Sequence, residues 1–111
     1  MMQNNVYAYV DGYGKCPYES WLASLKDKKA LAVVLLRIDR MELGLLGDTS
    51  SVGEGVNELR IHYGPGYRVY YAQEGKNIYL LLCGGDKSSQ DKDIKLARKY
   101  WSTHKAGGNR A

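Results

Sequence analysis

The residues from Glu58 to Tyr71 read E-L-R-I-H-Y-G-P-G-Y-R-V-Y-Y, and those from Ile78 to Gln90 read I-Y-L-L-L-C-G-G-D-K-S-S-Q. The G-P-G triplet at 64–66 has proline at the second and glycine at the third position of a type II turn, so its flanking residues are expected to pair as antiparallel strands. The run that begins at Ile78 is almost wholly apolar, which is typical of a central strand buried on both faces. The pattern predicts three consecutive strands, over residues 57–63, 67–72 and 78–83.

Alternation along the first two of these strands assigns their side chains to opposite faces of the sheet. The side chains predicted to face the helices are those of Leu59, Ile61, Val69 and Tyr71. The side chains predicted to lie on the open face are those of Glu58, Arg60, His62, Arg68 and Tyr70.

The rest of the chain predicts one further strand and three helices. Val6–Val10 is a β-branched and aromatic run that ends at an Asp-Gly turn, which indicates the first strand. Pro17 suits the first position of a short helix, and Asp27 can cap a second helix whose apolar stripe runs from Leu31 to Leu45. These two helices are expected to form a hairpin over the sheet. Ser88 is expected to open a third helix that packs through its apolar positions, namely Ile94, Ala97 and Trp101.

The predicted element order is β-α-α-β-β-β-α, an α+β fold with a small, mainly antiparallel sheet. At 111 residues the chain fits one domain, which we expect to span residues 1–111 with flexible ends at 1–5 and 106–111. Cys16 and Cys83 differ in context and lack C-x-x-C pairing, so neither a disulfide framework nor a zinc site is expected. No apolar run approaches the roughly 18 residues of a membrane span, and the N-terminus lacks a signal core. We therefore expect a reduced, cytoplasmic protein with no membrane association, metal or cofactor.

Positive charge is concentrated at the C-terminal end. The segment from Lys87 onward has seven Lys and Arg against two Asp, a net charge of +5, which leaves −1 of the total of +4 for the first 86 residues. A solvated lysine-rich helix is a common cause of such a bias. Because this helix follows Lys87 directly, its Lys92, Lys95 and Lys99 can instead extend a cationic site for nucleic acid.

Four side chains on the predicted strands carry the functional signal. Arg60, His62, Arg68 and Lys87 come without clustered carboxylates or metal-ligand spacing. Such a group suits a site that grips and polarises a phosphate, so a nucleic-acid substrate is expected. Neighbouring aromatic rings can stack on bases, or can simply be half-buried residues of the sheet; they are Tyr63, Tyr67 and Tyr70.

The segment from Gly84 to Ser89 follows a strand and precedes a helix, an arrangement similar to nucleotide-binding turns. It lacks the G-x-x-x-x-G-K-[ST] spacing, so ATP binding is not expected. The backbone N–H groups at Ser88 can still bind an RNA phosphate at the start of the helix.

Several motifs follow one another between Val6 and Trp101: W-L-x-x-L, R-I-D-R, G-E-G-V-x-E-L-R, G-P-G-Y-R and G-G-D-K-S-S-Q. In this order and spacing they resemble the RelE/ParE superfamily of bacterial toxin–antitoxin toxins, most closely its HigB-type "addiction module killer" branch. The resemblance implies a RelE-like fold and a small endoribonuclease that cuts mRNA, typically at the ribosome. It also implies neutralisation by a HigA-like helix-turn-helix antitoxin, through which alone the toxin would contact operator DNA.

The resemblance carries the family's catalytic basic residues over onto Arg60, Arg68 and Lys87. Attack by the RNA's own 2′-hydroxyl needs a base, charge stabilisation at phosphorus and an acid for the leaving 5′-oxygen. The planar forks of Arg60 and Arg68 can hold phosphate oxygens, and Lys87 can act as the acid, or as the base if nearby arginines favour its neutral form. His62 can also transfer protons, or it can be a histidine that only packs on the open face.

Two positions depart from the best-studied ribosome-dependent nucleases of the superfamily. Those enzymes have a further lysine on the second strand and an aromatic hydroxyl near the start of the last helix, where this chain has Glu58 and Asp93. Ribosome dependence and the general base stay open for that reason. Two other functions are also open, namely a ParE-like toxin that inhibits DNA gyrase by binding and a repressor subunit that needs its antitoxin to contact DNA. The retained Arg60, Arg68 and Lys87 favour the nuclease.

Overall fold

The computed structural model describes residues 4–107. Its elements are β1 Asn5–Ala8, α1 Pro17–Ser24, α2 Lys28–Glu42, β2 Thr49–Gly53, β3 Val56–Ile61, β4 Tyr67–Gln73, β5 Ile78–Asp86, a 3₁₀ turn Lys87–Ser89 and α3 Gln90–Gly107. The strands form one sheet in the order β1-β5-β4-β3-β2, in which β1 runs parallel to β5 and the other pairs are antiparallel. The predicted α+β class with its mainly antiparallel sheet is confirmed.

Part of the two ends predicted to be flexible, residues 1–3 and 108–111, lies outside the described residues. Of the remaining residues, Asn5 begins β1 and residues 106–107 belong to the last turn of α3. No helix among the described residues is long and apolar enough to cross a membrane.

The predicted element order omitted β2. This strand reads T-S-S-V-G and pairs antiparallel with β3 at the edge of the sheet. An edge strand has a ladder of hydrogen bonds on one side only, and polar side chains are tolerated there. Its composition therefore lacks the apolar alternation from which strands are recognised, and the element order becomes β-α-α-β-β-β-β-α.

The hairpin between β3 and β4 forms as predicted, with a different turn. The backbone N–H of Gly66 donates to the Tyr63 carbonyl at 3.0 Å, so Gly64 is at the second turn position and Pro65 at the third. Gly64 has a φ of +55°, a conformation that glycine adopts at no steric cost. In the resulting register Arg60 lies opposite Arg68.

The helical hairpin packs on one face of the sheet. The Asp27 side chain caps α2 by accepting hydrogen bonds from the backbone N–H groups of Lys29 and Ala30, as predicted. The stripe predicted from Leu31 to Leu45 is only partly correct, because Leu35 and Leu45 are exposed. The residues of α2 that are buried are Ala30, Val34, Ile38 and Met41.

The sheet is covered on both faces. The core on the side of α1 and α2 includes Leu59, Ile61, Val69 and Tyr71, as alternation predicted. The opposite face is not open as predicted, because α3 packs across it through Ala97 and Trp101, with Ile94 partly buried beside them. Tyr70, predicted on the open side, is 0% exposed in this second core. The end of that face near the β3–β4 turn remains open.

The approach to α3 also differs from the prediction. Ser88 does not open the helix; it lies in the 3₁₀ turn, and the Asp86 side chain accepts its backbone N–H at 2.8 Å. A Cβ atom at Gly84 would lie 2.2 Å from the Trp21 ring, and one at Gly85 would lie 1.8 Å from Asp93 Oδ2. The two glycines therefore serve close packing of α1 on one face and α3 on the other.

Candidate active site

Three of the four predicted catalytic side chains line one open groove of about 370 Å³ beside the β3–β4 turn. His62 lies just past the end of β3, Arg68 lies in β4, and Lys87 follows the end of β5. The Lys87 backbone N–H donates to the Gly66 carbonyl at 3.0 Å, which ties the 3₁₀ turn to the hairpin. We call this the active-site groove; its lining residues are His62, Tyr63, Gly64, Pro65, Gly66, Arg68 and Lys87.

Arg60, the fourth predicted residue, lies outside that lining and is occupied by carboxylates. Its Nε and Nη2 donate to the two oxygens of Asp48 at 3.0 and 2.7 Å, and its Nη1 donates to Ser50 and Glu58 at 2.9 and 3.0 Å. These bonds use four of the five N–H donors of the guanidinium. The hydrogen bond to Asp48, followed by that to Glu58, raises the pKa of Arg60. In this arrangement Arg60 organises the acidic residues and has little capacity left for a phosphate.

Asp48, which the sequence reasoning missed, joins Arg60 to His62. Its Oδ2 lies 2.6 Å from His62 Nε2. Hydrogen bonds from Arg60 and then from His62 hold the pKa of the Asp48 carboxyl well below its usual range. The His62 side chain is 74% exposed, so it does not pack on the sheet; it stands in the active-site groove with one ring nitrogen held by Asp48.

A sequence signal for Asp48 existed, but it depended on recognising β2. Thr49 lies opposite Leu59 in the β2–β3 ladder, so the preceding residue falls beside Arg60. The Arg60 backbone N–H donates to the Asp48 carbonyl at 2.9 Å accordingly.

Glu58 is a buried carboxylate, 2% exposed, on which several donors converge. Arg60 Nη1 donates to its Oε1 at 3.0 Å, while Arg68 Nε and Gln90 Nε2 donate to its Oε2 at 3.1 and 2.9 Å. Two guanidinium groups therefore compensate the buried charge, which is the condition under which such a charge is tolerated. Gln90, the first residue of α3, links this helix to the arginines.

Arg68 is anchored to Glu58 through its Nε, and its two Nη groups extend toward the active-site groove. Its side chain is 12% exposed, and Nε is bound to Glu58. Within the described part of the chain, the hydrogen-bond contact of its Nη1 is a long one, 3.4 Å to the Gly66 carbonyl. The Nη groups of Arg68 are therefore the guanidinium donors that this groove offers to an anion.

Tyr67 and Tyr70, the aromatic residues predicted to bind RNA, lie on opposite faces of the sheet. Tyr70 cannot stack on a base, because its ring is fully buried beneath α3 and its hydroxyl points to Glu58 at 3.5 Å. Burial raises the pKa of this hydroxyl. Tyr67 lies on the opposite face of the sheet from Arg68, where its ring meets that of Trp21 edge to face with centroids 6.1 Å apart.

The polar residues predicted to bind RNA lie along the start and outer side of α3. The Ser88 N–H and hydroxyl both donate to Asp86, at 2.8 and 2.5 Å, so this N–H is not free for a phosphate. Lys92, Lys95 and Lys99 are exposed. Lys92 also lines a groove of about 440 Å³ over residues 87–92, which we call the helix-start groove.

Asp93, where the superfamily nucleases mentioned above have an aromatic hydroxyl, is buried and faces Gly85. Burial raises the pKa of its carboxyl, and a 2.5 Å hydrogen bond from the Ser89 hydroxyl opposes that shift. The active-site groove combines the guanidinium of Arg68, the ammonium of Lys87 and the imidazole of His62, which is bound to the Asp48 carboxylate. Among the described residues, no group of three or more His, Cys, Asp or Glu side chains is arranged to hold a metal ion.

Comparison with known proteins matches most of the chain to a known family. The family model described as "Phage derived protein Gp49-like (DUF891)" matches residues 20–102. An uncharacterized protein from Haemophilus influenzae is 51% identical to the chain over 81 residues, which cover 73% of this chain and 82% of the relative. The matched region extends from α1 to α3 and contains every residue of the active-site groove. The chain therefore belongs to the phage-derived Gp49-like family, a family of toxins of the RelE, addiction-module killer type.

Proposed function

We propose that this protein is the toxin of a type II toxin–antitoxin system and acts as a metal-independent endoribonuclease on mRNA. The observation that carries the proposal is the meeting of His62, Arg68 and Lys87 in one groove, with Asp48 bound behind His62. A proton-transfer group oriented by a carboxylate, next to two cations, is what phosphodiester cleavage requires.

In the proposed reaction the 2′-hydroxyl attacks the adjacent phosphorus. His62 donates its Nε2–H to Asp48, which leaves Nδ1 as the acceptor of the 2′-hydroxyl proton; this tautomer is assigned from the hydrogen bond. Arg68 and the Lys87 ammonium stabilise the charge that develops on the nonbridging oxygens. Lys87 then gives a proton to the leaving 5′-oxygen. The products are a 2′,3′-cyclic phosphate and a 5′-hydroxyl end.

Arg60 and Glu58 support these groups without touching the substrate. Arg60 holds Asp48 through both carboxylate oxygens, and Asp48 in turn fixes the ring of His62. Glu58 holds the Nε of Arg68 and thereby aims its remaining donors. This assignment differs from what the resemblance implies, which is that Arg60 itself binds the phosphate.

Membership of a toxin family and the motifs of the chain support the biological setting that we propose. We assign the protein to the HigB branch, with a HigA-like helix-turn-helix antitoxin, and we place its action in the cytoplasm on mRNA at the ribosome. Operator DNA would be reached only through the antitoxin. The exposed Lys92, Lys95 and Lys99 support RNA binding beside the active-site groove, because cationic side chains along a helix attract a phosphate backbone.

The test is to incubate pure protein with mRNA in the presence and absence of translating ribosomes and to map the new ends. Wild-type protein should produce discrete 5′-hydroxyl ends with ribosomes, and His62→Ala should not. Ends produced equally on naked mRNA would remove the ribosome from the proposal. Inhibition of DNA gyrase with no RNA cleavage in either reaction would contradict the nuclease and support a ParE-like toxin.

A further inference from the structure

A second groove, of about 590 Å³, lies beside the start of β4 and the end of β5, which pair with each other. It is bounded by the end of α1, the end of β5 and the start of α3. We call it the tryptophan groove; the lining residues that matter here are Trp21, Tyr67, Gly84, Gly85, Asp86 and Asp93. Its aromatic residues pack with one side against the core beneath α1 and α2, and it shares no lining residue with the active-site groove.

The walls of the tryptophan groove are aromatic and its floor is backbone. Trp21 and Tyr67 are both partly exposed, and their rings meet at an interplanar angle of 61°. The Trp21 ring lies directly against the backbone at Gly84, a position where any side chain would collide with the ring. Partly exposed rings over glycine backbone form a surface on which a planar base can stack.

The charged groups of this groove suit a base better than a phosphate. Its lining contains three aspartates and two lysines, a net charge of −1; they are Asp27, Asp86, Asp93, Lys26 and Lys92. Carboxylates accept hydrogen bonds from the exocyclic amino groups of bases. Asp86 accepts from Ser88 at Oδ1 and Asp93 accepts from Ser89 at Oδ2, and among the described residues no side chain donates to the second oxygen of either carboxylate.

The tryptophan groove is connected to the active-site groove. Lys87 lines both the active-site groove and the helix-start groove. Ser89 and Lys92 line both the helix-start groove and the tryptophan groove. A single strand of RNA can therefore follow one continuous band around the start of α3, with its backbone passing the two lysines.

We propose that the tryptophan groove binds a nucleobase of the RNA that flanks the cleaved bond, stacked on the Trp21 ring and in edge contact with Tyr67, with its amino edge toward Asp86 and Asp93. Adenine, cytosine and guanine carry such an amino group and uracil does not. The inference rests on the proposed function for the identity of the polymer. It adds a site and a base preference that cleavage chemistry alone does not require.

The experiment is ¹⁹F NMR on protein labelled with 5-fluorotryptophan, which gives one resonance for Trp21 and one for Trp101. Trp101 is buried in the second core and serves as an internal control. The probes are short oligocytidylate and oligouridylate with 2′-O-methyl groups, which cannot be cleaved by 2′-hydroxyl attack, and an abasic oligomer of equal charge. Of these two bases only cytosine has an exocyclic amino group, whereas uracil offers a single N3–H between two carbonyl oxygens that carboxylates repel. Oligocytidylate should therefore shift the Trp21 resonance with about tenfold tighter apparent Kd than oligouridylate.

A matched variant, Asp86→Asn, keeps an oxygen to cap the 3₁₀ turn and replaces the free oxygen with a donor. It should lose or reverse the preference for cytosine while the Trp21 resonance still responds. A response to the abasic oligomer equal to the response to oligocytidylate would overturn the proposal. The absence of a response to any oligomer would also overturn it and would indicate that the groove binds a protein partner. Cleavage of mRNA without a Trp21 shift would refute this site alone; a Trp21 shift without cleavage would refute only the nuclease.

Discussion

Replacing Glu58 with glutamine should destabilise the protein far more than the same change at Glu54. Each substitution removes one negative charge and keeps the side-chain shape. The Glu58 side chain is 3% exposed and pairs with Arg60 and Arg68. The Glu54 side chain is 71% exposed, and its ion pair among residues 4–107 is with Arg98, at 3.6 Å. The comparison therefore isolates burial of the charge and its hydrogen bonds.

The magnitude follows from the donors around Glu58. Its Oε1 accepts from Arg60, and its Oε2 accepts from Arg68 and Gln90. A glutamine amide has one oxygen, so its NH₂ group must face a donor on one side. The least costly orientation turns the oxygen to Arg68 and Gln90, because Arg60 retains Asp48. One mismatched buried donor and two weakened hydrogen bonds together cost about 3 kcal/mol.

The assay is urea unfolding followed by circular dichroism and by tryptophan fluorescence, whose agreement would support two-state analysis. With a slope of about 2 kcal/mol/M, a loss of 3 kcal/mol lowers the midpoint of Glu58→Gln by about 1.5 M. The midpoint of Glu54→Gln should stay within about 0.3 M of wild type, since exposed ion pairs contribute little.

The reasoning would be refuted by a Glu58→Gln protein that unfolds within about 0.5 M of wild type at an unchanged slope. That result would mean that the arginines are satisfied without the buried charge. An equal loss in Glu54→Gln would also contradict it, because burial would then not be the cause.

Four further outcomes are expected. Arg68→Ala should abolish growth inhibition and lower cleavage at least about 100-fold, as for loss of a transition-state donor, with an unchanged circular dichroism spectrum; full toxicity in the folded variant would remove Arg68 from the site. Cleavage should persist in EDTA and leave 2′,3′-cyclic phosphate ends, and activity lost on chelation and restored by a divalent ion would contradict a metal-free reaction. Because the pKa of Asp48 is lowered in the folded protein, its ionised form contributes stability that is complete above about pH 4 and is lost as the pH falls further. Asp48→Asn should therefore show a shallower loss of stability on acidification, and identical acid titrations would refute the pairing. An acidic surface of the antitoxin should dock on the face that carries Arg68 and Lys87, with an association rate that falls as salt rises; a salt-independent rate, or a complex that leaves this face open and α3 unmoved, would count against it.

Local rules account for the features that were predicted correctly. The β3–β4 hairpin follows from Gly-Pro-Gly between alternating strands, and β5 follows from an apolar run. The Asp27 cap and the burial of Ala97 and Trp101 on one side of α3 depend on spacings of three or four residues. Each of these signals acts within one element, where side-chain period and turn chemistry decide the conformation.

The features that the sequence did not predict depend on contacts between elements that are far apart in the chain. The edge strand β2 has no pattern of its own, and only its pairing with β3 brings Asp48 to Arg60 and His62. The α3 helix covers Tyr70, although its sequence shows only that one side is apolar.

Turn chemistry and alternation are enough to predict that His62 and Arg68 lie at neighbouring strand ends, and Lys87 follows the apolar run of β5 in the chain. What each side chain can do depends on the tertiary structure. Arg60 has the same alternation as His62, yet a carboxylate 12 residues earlier occupies its guanidinium. Electrostatic partners are chosen by distance through space, and that distance is set only when β2 and α3 pack against the central strands.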